Sequence, residues 1–343
     1  MRAAVLSGGG IIVRDDLPEP VPGPGQVLVQ VKACGICGSD LHFAKHGADM
    51  LALGQQMEGV PRPDREPIDL SRDIFMGHEF AGEVLEAGPN TEAPPAGTAV
   101  TSFPVLLRPD GAVDPIVYSN HVYGGYGERL LLSAPLLLPV PNGLSTDLAA
   151  LTEPMAVGLH AVNRSRIEQT EKAVVLGCGP VGLAVIGALK MRGVTSIIAA
   201  DYSPARRALA EGLGATDVVD PREETAWARA GAAGPLVVFE AIGVPGVLDE
   251  ILRYAPAQSR AVVVGVCMNA DTVNPYFGIS KELSVQFVLG YTPEELAASL
   301  RSIAEGDIDV APLVTARVGL DEVPWAFEAL GNPEEHCKII VEP

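Results

Sequence analysis

Residues 173–191 read AVVLGCGPVGLAVIGALKM, in which an apolar strand pattern is followed by a glycine-rich turn and a helical pattern. Gly177, Gly179 and Gly182 have the spacing Gly-x-Gly-x-x-Gly. Such glycines allow the backbone to approach a pyrophosphate closely, and the N-terminus of the following helix stabilises its charge. Asp201 ends the next predicted strand, where a carboxylate can bond the ribose hydroxyls of a dinucleotide. The segment therefore predicts a dinucleotide site.

The residues around this segment alternate between unbroken apolar runs and helical patterns, which is typical of βαβ units and a parallel sheet covered on both faces. The predicted strands are 173–176, 196–201, 236–240 and 261–264. Thr292-Pro-Glu-Glu295 has the residues of a capping box and predicts a helix to about Ala304. We expect an α/β, doubly wound domain over residues 154–290.

The first part of the chain has a different pattern. Over residues 3–141, short valine-rich runs such as Gln26–Lys32 are divided by proline and glycine, which indicates strands with one buried face. Met50–Met57 predicts a short helix, and the polar stretch after it predicts a surface loop that is either a lid or a decoration. We expect residues 1–153 to form a strand-rich domain, onto which the tail 291–343 packs back.

Composition limits the possible functions. The chain has 343 residues, 48% hydrophobic and 20% charged, which is enough for two domains that share a cleft. The formal net charge of -19 repels nucleic acids and anionic lipids. Glycine and proline interrupt every apolar run before the roughly 20 residues that a membrane span needs. We expect a cytoplasmic protein that acts on a small molecule, with no nucleic-acid or membrane partner.

The five cysteines are irregularly spaced and do not indicate a disulfide framework. Cys178, Cys267 and Cys337 are predicted to be buried apolar residues. Cys34 and Cys37 are close in sequence, but a zinc ribbon needs a second Cys-x-x-Cys within roughly 20 residues, and the chain has none. A structural zinc held by four cysteines is therefore excluded.

Three short motifs carry candidate metal ligands: CGICGSDLH at residues 34–42, His78 with its neighbours, and Glu153 near the predicted domain junction. Each has an ordinary structural interpretation as an interior thiol, a histidine bonded to the backbone or a carboxylate at a helix N-terminus. Beside a dinucleotide site, they together predict a catalytic zinc. Such a zinc needs three protein ligands and an open position, and a thiolate, an imidazole and a carboxylate meet that need.

Four motifs, in this order, resemble the zinc-dependent medium-chain dehydrogenases, which include alcohol, polyol and threonine dehydrogenases. They are GICGSDLH at 35–42, GHE at 77–79, EPMAVGLHA at 153–161 and GCGPVG at 177–182, and the resemblance covers nearly the whole chain. It implies a chaperonin-10-like β-barrel catalytic domain and a Rossmann-like domain with the substrate in the cleft. It also implies an NAD-dependent oxidoreductase that interconverts an alcohol, whether secondary, cyclic or a polyol, with a ketone or aldehyde.

By this resemblance Cys37 and His78 are zinc ligands. Glu153 occupies the position of the third ligand, which is cysteine in the best-known alcohol dehydrogenases and glutamate in polyol and threonine dehydrogenases. Glu79 matches a family glutamate that either binds the zinc or tunes it from behind, so the third ligand stays open between these two carboxylates.

Ser39 and His42 match the family positions that relay the alcohol proton to water, and Asp40 is expected to shape the turn. The chain departs from the family because residues 84–123 contain no cysteine, where a structural zinc is often held. We expect one catalytic zinc and no structural zinc. The segment from Cys37 to His78 is longer than in most relatives and borders the substrate cleft in the family, so the alcohol itself is not predicted.

The dinucleotide is expected to be NAD, because Asp201 would repel the extra phosphate of NADP. Arg206 and Arg207 in the following helix either oppose this expectation or form an exposed helix face. The predicted cofactor-binding residues are Gly177, Gly179, Pro180, Val181, Gly182, Asp201, Tyr202, Arg206, Ile242, Gly265 and Val266.

Two other classes compete with this hypothesis: a zinc-free NADPH-dependent quinone or enone reductase, and a non-catalytic dinucleotide-binding protein. The joint presence of Cys37, His78, Glu79 and Glu153 argues against both. Family members are usually dimers or tetramers, so a homodimer or homotetramer is expected.

Overall fold

A computed structural model describes residues 1–57, 67–108, 110–231 and 234–343. The predicted polar loop falls partly on residues 58–66, which lie outside this description. The chain divides into two compact units. The first comprises Met1–Glu153, Val314–Asn332 and Lys338–Pro343, and the second comprises Pro154–Leu313 and Pro333–Cys337.

The strands are β1 (Ala3–Ser7), β2 (Gly10–Arg14), β3 (Gln26–Gly35), β4 (Ile74–Met76), β5 (Glu79–Ala87), β6 (Ala99–Ser102), β7 (Val105–Leu107), β8 (Val113–Pro115), β9 (Tyr118–Ser119), β10 (Arg129–Ser133), β11 (Leu137–Pro139), β12 (Lys172–Leu176), β13 (Ser196–Ala200), β14 (Asp217–Val219), β15 (Leu236–Glu240), β16 (Arg260–Val263), β17 (Ser284–Phe287), β18 (Val314–Val318) and β19 (Lys338–Val341). The helices are α1 (Gly38–Gln56), α2 (Thr146–Ala149), α3 (Thr152–Ser165), α4 (Pro180–Met191), α5 (Pro204–Leu213), α6 (Ala226–Ala230), α7 (Val247–Tyr254), α8 (Pro275–Lys281), α9 (Pro293–Glu305) and α10 (Val323–Ala329). Within the described ranges, none of these helices has both the length and the apolar character that a membrane crossing requires.

The second unit contains the predicted doubly wound sheet. Its strands are parallel and follow the order β14-β13-β12-β15-β16-β17. From β12 the chain adds β13 and β14 towards one edge of the sheet, and it then adds β15, β16 and β17 on the other side of β12. At such a switch point ligands bind beyond the carboxyl ends of the strands. Val174 and Val238 are completely buried, because helices cover both faces of a parallel sheet. The glycine-rich turn joins β12 to α4 at this position.

The first unit is built mainly of antiparallel strands around β3, which pairs with β5, β10 and β19, while β18 pairs with β19 in parallel. Its core consists of inward-facing aliphatic residues such as Val29, Leu130 and Ile339. The predicted strand at the start of the chain is β1, and the end of the chain packs back onto this unit through β18 and β19. The predicted short helix at Met50–Met57 is the end of α1, a longer helix with a kink at His46.

One segment of the tail differs from the predicted division of the chain. Helix α9 has the predicted capping box between Thr292 and Glu295, but it belongs to the second unit rather than to the first. The reason is a hydrogen-bond network, in which the Glu295 carboxylate bonds His160 Nδ1 at 2.8 Å and accepts from Asn163 Nδ2 at 2.8 Å. Residues 291–313 therefore join the dinucleotide unit.

The cysteine predictions are partly wrong. Cys178 and Cys337 are buried as expected, whereas Cys267 is exposed in the loop that follows β16. Its Sγ lies 3.4 Å from the carbonyl oxygen of Asn269. A thiol in this surface loop packs against no core, so its apolar character did not decide its position.

Candidate active site

Strand pairing in the first unit brings Cys37 and His78 together. Cys37 follows β3 and is the N-cap of α1, while His78 directly precedes β5. The antiparallel register pairs Gly35 with Glu79, so the two ligand-bearing turns lie at the same end of the strand pair. Gly77 has a φ of +98°, and a Cβ at this position would lie 2.8 Å from the Tyr126 nitrogen. Glycine is therefore required beside His78.

The side chains at this point form a candidate metal centre. One ligand atom from each of Cys37, His78 and Glu79 lies within 4.8 Å of the others. Burial lowers the pKa of His78, but the negative charges of Asp40, Cys37 and Glu153 outweigh it and raise the pKa well above its ordinary value. The cluster therefore favours positive charge at its centre. Its thiolate, imidazole and carboxylate donors fit zinc, which is bound at about 2.0–2.3 Å by these groups.

Asp40 connects the turn to His78. Its Oδ2 accepts hydrogen bonds from the Cys37 amide at 3.1 Å and the Tyr126 hydroxyl at 2.6 Å. Its Oδ1 lies 3.6 Å from His78 Nδ1. Burial raises the pKa of Asp40, which is completely buried. Asp40 shapes the turn, as predicted, and also faces His78 Nδ1, which leaves Nε2 as the nitrogen available to a metal.

Glu79 is paired with a distant lysine that no local motif indicated. The Lys338 ammonium lies 2.8 Å from Oε1 and 2.7 Å from Oε2 of Glu79, and it also donates to the Ile36 carbonyl. The Lys338 side chain is 2% exposed and the Glu79 side chain 0%. A Cβ on Gly35 would lie 2.1 Å from Glu79 Oε2, so this glycine leaves room for the carboxylate. The available signal was a lysine within the otherwise apolar strand β19.

The predicted relay residues lie on α1. Ser39 is half-buried in the first turn, while His42 is exposed. Although the residue is exposed, partial desolvation of its imidazole, together with the positive charges of His46 and Lys45, lowers the pKa of His42. The Tyr118 hydroxyl approaches Ser39 from β9. No local sequence pattern pointed to this tyrosine, because only the pairing of β9 with β4 brings it to the site.

The glycine-rich turn of the second unit has the geometry of a pyrophosphate cradle. Gly177 has a φ of +91°, and a Cβ on it would lie 2.8 Å from Ile242 Cγ1. A Cβ on Gly182 would lie 1.9 Å from the Gly177 carbonyl oxygen, so α4 packs directly against the turn. Gly179 is the N-cap of α4, and a Cβ there would meet no atom of the described residues within 4 Å. The helix N-terminus is thus open to an anionic group.

Two carboxylates hold the loops around this turn. Asp201 accepts from the amides of Cys178 at 2.7 Å and Ser203 at 2.8 Å. Glu240, which the sequence analysis did not identify, accepts from the amides of Ile242 at 2.7 Å and Gly243 at 2.8 Å. Among the other predicted cofactor contacts, Pro180, Val181 and Gly265 are half-buried, whereas Tyr202, Ile242 and Val266 are exposed.

The two arginines near Asp201 differ in their contacts. Arg207 donates to the carbonyls of Asp201 and Tyr202 and pairs with Asp220 at 3.1 Å. Arg206 Nε is buried and has no hydrogen-bond partner among the described residues. Arg207 is therefore committed to the protein, and of the two only Arg206 has an orphaned donor.

Comparisons with known proteins match both units of the chain. Residues 23–142 match the alcohol dehydrogenase GroES-like domain, and residues 180–305 match the zinc-binding dehydrogenase domain. The (R,R)-butanediol dehydrogenase of Bacillus subtilis (strain 168) is 34% identical over 100% of both chains. Sorbitol dehydrogenase of the same organism is 28% identical over 100% of this chain and 97% of its own length.

Solved structures of dehydrogenases are also similar to this chain over its whole length. The crystal structure of 2R,3R-butanediol dehydrogenase from Bacillus subtilis has 33% identity and a TM-score of 0.83, covering 100% of this chain and 99% of its own. A putative zinc-binding dehydrogenase from Sinorhizobium meliloti 1021, bound to NADP, has 29% identity and a TM-score of 0.80, with coverages of 100% and 99%. With a GroES-like first domain, a Rossmann-type second domain and these relatives, the chain belongs to the zinc-dependent medium-chain alcohol dehydrogenase family.

Proposed function

We propose that this chain oxidises a secondary alcohol or a polyol to the ketone with NAD, and catalyses the reverse reduction, using one zinc ion. The observation that carries the proposal is the pairing of half-buried Cys37 with buried His78, next to Asp40, in a chain that also has an open glycine-rich turn. A zinc-free quinone or enone reductase fits less well, because the relatives above are butanediol and sorbitol dehydrogenases. A non-catalytic dinucleotide-binding protein would not need a thiolate, an imidazole and a carboxylate gathered at one point.

Cys37, His78 and Glu153 are the ligands that we propose for the zinc. Glu79 also lies close to Cys37 and His78, but both of its oxygens lie within hydrogen-bond distance of the Lys338 ammonium. A carboxylate shared in this way is a weaker metal ligand. The charge of Glu153, at the start of α3, acts on His78. Glu79 then lies behind the ligands and adjusts the charge of the site.

The chain's own residues position the substrate and move its proton. A bound zinc would polarise the alcohol oxygen, and a bound nicotinamide would accept the hydride. Ser39, in the first turn of α1, accepts the alcohol proton and passes it towards His42. The lowered pKa of His42 keeps its imidazole neutral near pH 7, so that it can accept the proton. The negative charge of Asp40, 3.6 Å from His78 Nδ1, favours a positive charge at this position.

NAD is proposed over NADP because the Asp201 carboxylate lies at the end of β13 beside the glycine turn. An anion there disfavours the additional phosphate of NADP. Arg206 has a buried, orphaned Nε, and it is the group that could favour NADP instead. The measurement that separates the effects of Asp201 and Arg206 is kcat/KM with NAD divided by kcat/KM with NADP. We expect this ratio to exceed one.

The first test of the function measures metal and turnover together. The purified protein is analysed for zinc, and NADH absorbance is followed with butane-2,3-diol, sorbitol and butan-2-ol, with and without 1,10-phenanthroline. We expect about one zinc per chain and NADH formation that the chelator abolishes. A protein that binds NAD but holds no zinc, or that turns over equally well without it, would refute the proposal.

Replacing His42 tests the proton relay. His42→Gln is expected to lower kcat by about 100-fold, which is the scale of general acid–base assistance. Because the pKa of His42 is lowered from its ordinary value, wild-type kcat should decline at a lower pH than the titration of an unperturbed imidazole would give. This acidic decline should disappear in the variant.

The matched control for that variant is His46→Gln, one helical turn further along α1. The positive charge of His46 lowers the pKa of His42, so its removal should retain turnover and move the acidic decline to slightly higher pH. Equal loss of kcat in both variants would show that the helix, rather than the imidazole of His42, was disturbed.

We propose a homodimer, or a homotetramer built from such dimers, that associates through β17. This strand is at the edge of its sheet; its residues Val285 and Phe287 are 38% and 68% exposed, and Leu289, just after the strand, is 89% exposed. An apolar edge strand is a ready site for strand pairing. Phe287→Lys is expected to halve the molar mass measured by size-exclusion chromatography with light scattering. A wild-type mass of one chain at micromolar concentration would contradict the assembly.

A further inference from the structure

Tyr118 lies beside the candidate metal centre but has no part in the chemistry described above. It belongs to β9, and its register partner in β4 is Met76, two residues before His78. Its ring stacks on Phe43 of α1 with centroids 3.9 Å apart and an interplanar angle of 9°. The ring is therefore held rigidly between a strand and a helix of the same unit.

The stacking directs the Tyr118 hydroxyl towards the metal ligands. Phe43 and Ser39 are four residues apart, so they lie on the same face of α1. The ring packs on Phe43, and its hydroxyl approaches Ser39, which is two residues from Cys37. Burial raises the pKa of Tyr118 strongly, the charges of Asp40, Cys37 and Glu153 raise it further, and the contact with Ser39 lowers it. The phenol is thus a neutral group at the edge of the ligand set.

The hydroxyl oxygen is buried, yet it has no hydrogen-bond partner of good geometry within the described part of the chain. Buried polar atoms are almost always paired, and an orphaned one at a site points to a group that the site is built to receive. Tyr126 provides a contrast, because its hydroxyl donates to Asp40 at 2.6 Å. The two tyrosines differ in that only Tyr118 keeps its hydroxyl available.

We propose that the Tyr118 hydroxyl bonds a second oxygen of the substrate, so that the site selects vicinal diols and the hydroxy ketones formed from them over simple alcohols. This inference rests on the proposed function, in which a zinc held by Cys37, His78 and Glu153 would bind the first oxygen. The surrounding carboxylates and thiolate disfavour an anionic substituent such as a carboxylate or a phosphate, whereas a neutral hydroxyl fits. In the reaction one carbinol loses a hydride to NAD and a proton to the chain, and the second hydroxyl is unchanged.

The test compares Tyr118→Phe with the wild type on two alcohols that differ by one hydroxyl, butane-2,3-diol and butan-2-ol. Their kcat/KM values are measured on the zinc protein, and their dissociation constants are read from the visible spectrum of the Co²⁺-substituted protein. The preference for the diol, expressed as the ratio of the two alcohols, is expected to fall by about 10- to 100-fold in both measurements. Tyr123→Phe is the control, because the Tyr123 hydroxyl bonds the Pro18 carbonyl at an exposed position. It should leave the ratio at the wild-type value.

The outcomes separate this inference from the proposed function. An unchanged ratio in Tyr118→Phe, or an equal loss for both alcohols, overturns the inference and assigns Tyr118 to packing or to the shared proton path. A ratio that depends on Tyr118 in the Co²⁺ spectra, without NADH formation by the zinc protein, supports diol recognition and refutes the dehydrogenase function. A ratio that depends on Tyr118 in the kcat/KM values and in the Co²⁺ spectra supports both the diol inference and the proposed dehydrogenase function.

Discussion

Cys37→Ser is expected to abolish zinc binding and to lower kcat/KM by at least about 1000-fold, since a metal Lewis acid contributes several kcal/mol to the barrier and each 1.36 kcal/mol is tenfold. His78→Ala should behave in the same way. NADH binding, measured by fluorescence, should change little, because the glycine turn belongs to a different compact unit. Metal content and NADH affinity are both measured on the variant protein. Loss of NADH affinity with zinc retained would contradict this division of labour.

The same measurement decides which carboxylate completes the ligand set. Glu153→Gln should lose zinc as Cys37→Ser does. The double variant Glu79→Gln/Lys338→Met removes both charges of the buried pair and should retain about one zinc per chain. It is preferable to Glu79→Gln alone, which would leave the Lys338 charge buried without its partner. If the double variant loses zinc while Glu153→Gln retains it, then Glu79 rather than Glu153 is the third ligand.

Lys338→Met is expected to destabilise the first unit by about 3–5 kcal/mol, because it leaves the Glu79 carboxylate buried and uncompensated. For a protein of this size such a loss lowers Tm by on the order of 10 °C. The measurement is thermal unfolding of the metal-free protein followed by circular dichroism. The double variant should recover most of the loss, since replacing a whole buried pair is often close to neutral.

The matched control is Lys32→Met, which breaks the pair between Lys32 and Glu83 on the neighbouring strands β3 and β5. That pair has an N–O distance of 3.2 Å, but its side chains are 35% and 42% exposed. Removal of an exposed pair costs about 1 kcal/mol or less. Equal Tm losses for Lys32→Met and Lys338→Met would show that burial does not determine the cost of breaking the Glu79–Lys338 pair.

Local patterns in the sequence were sufficient to predict several parts of the fold. The apolar runs predicted β12, β13, β15 and β16 of the parallel sheet, and the glycine spacing predicted the turn between β12 and α4. The residues of the capping box predicted the start of α9, where the Thr292 side chain accepts from the Glu295 amide. These features depend on residues within a few positions of one another, so each can be derived from a short segment.

Tertiary structure alone decided how distant segments meet. Lys338 and Glu79 are 259 positions apart, and only the pairing of β3 with both β5 and β19 brings them together. Tyr118 reaches Ser39 through the pairing of β9 with β4. Helix α9 joins the dinucleotide unit through the bonds of Glu295 to α3. The sequence by itself determined these local elements and the candidate ligands, whereas long-range packing determined the partners of each charge, because no local pattern encodes a contact between distant residues.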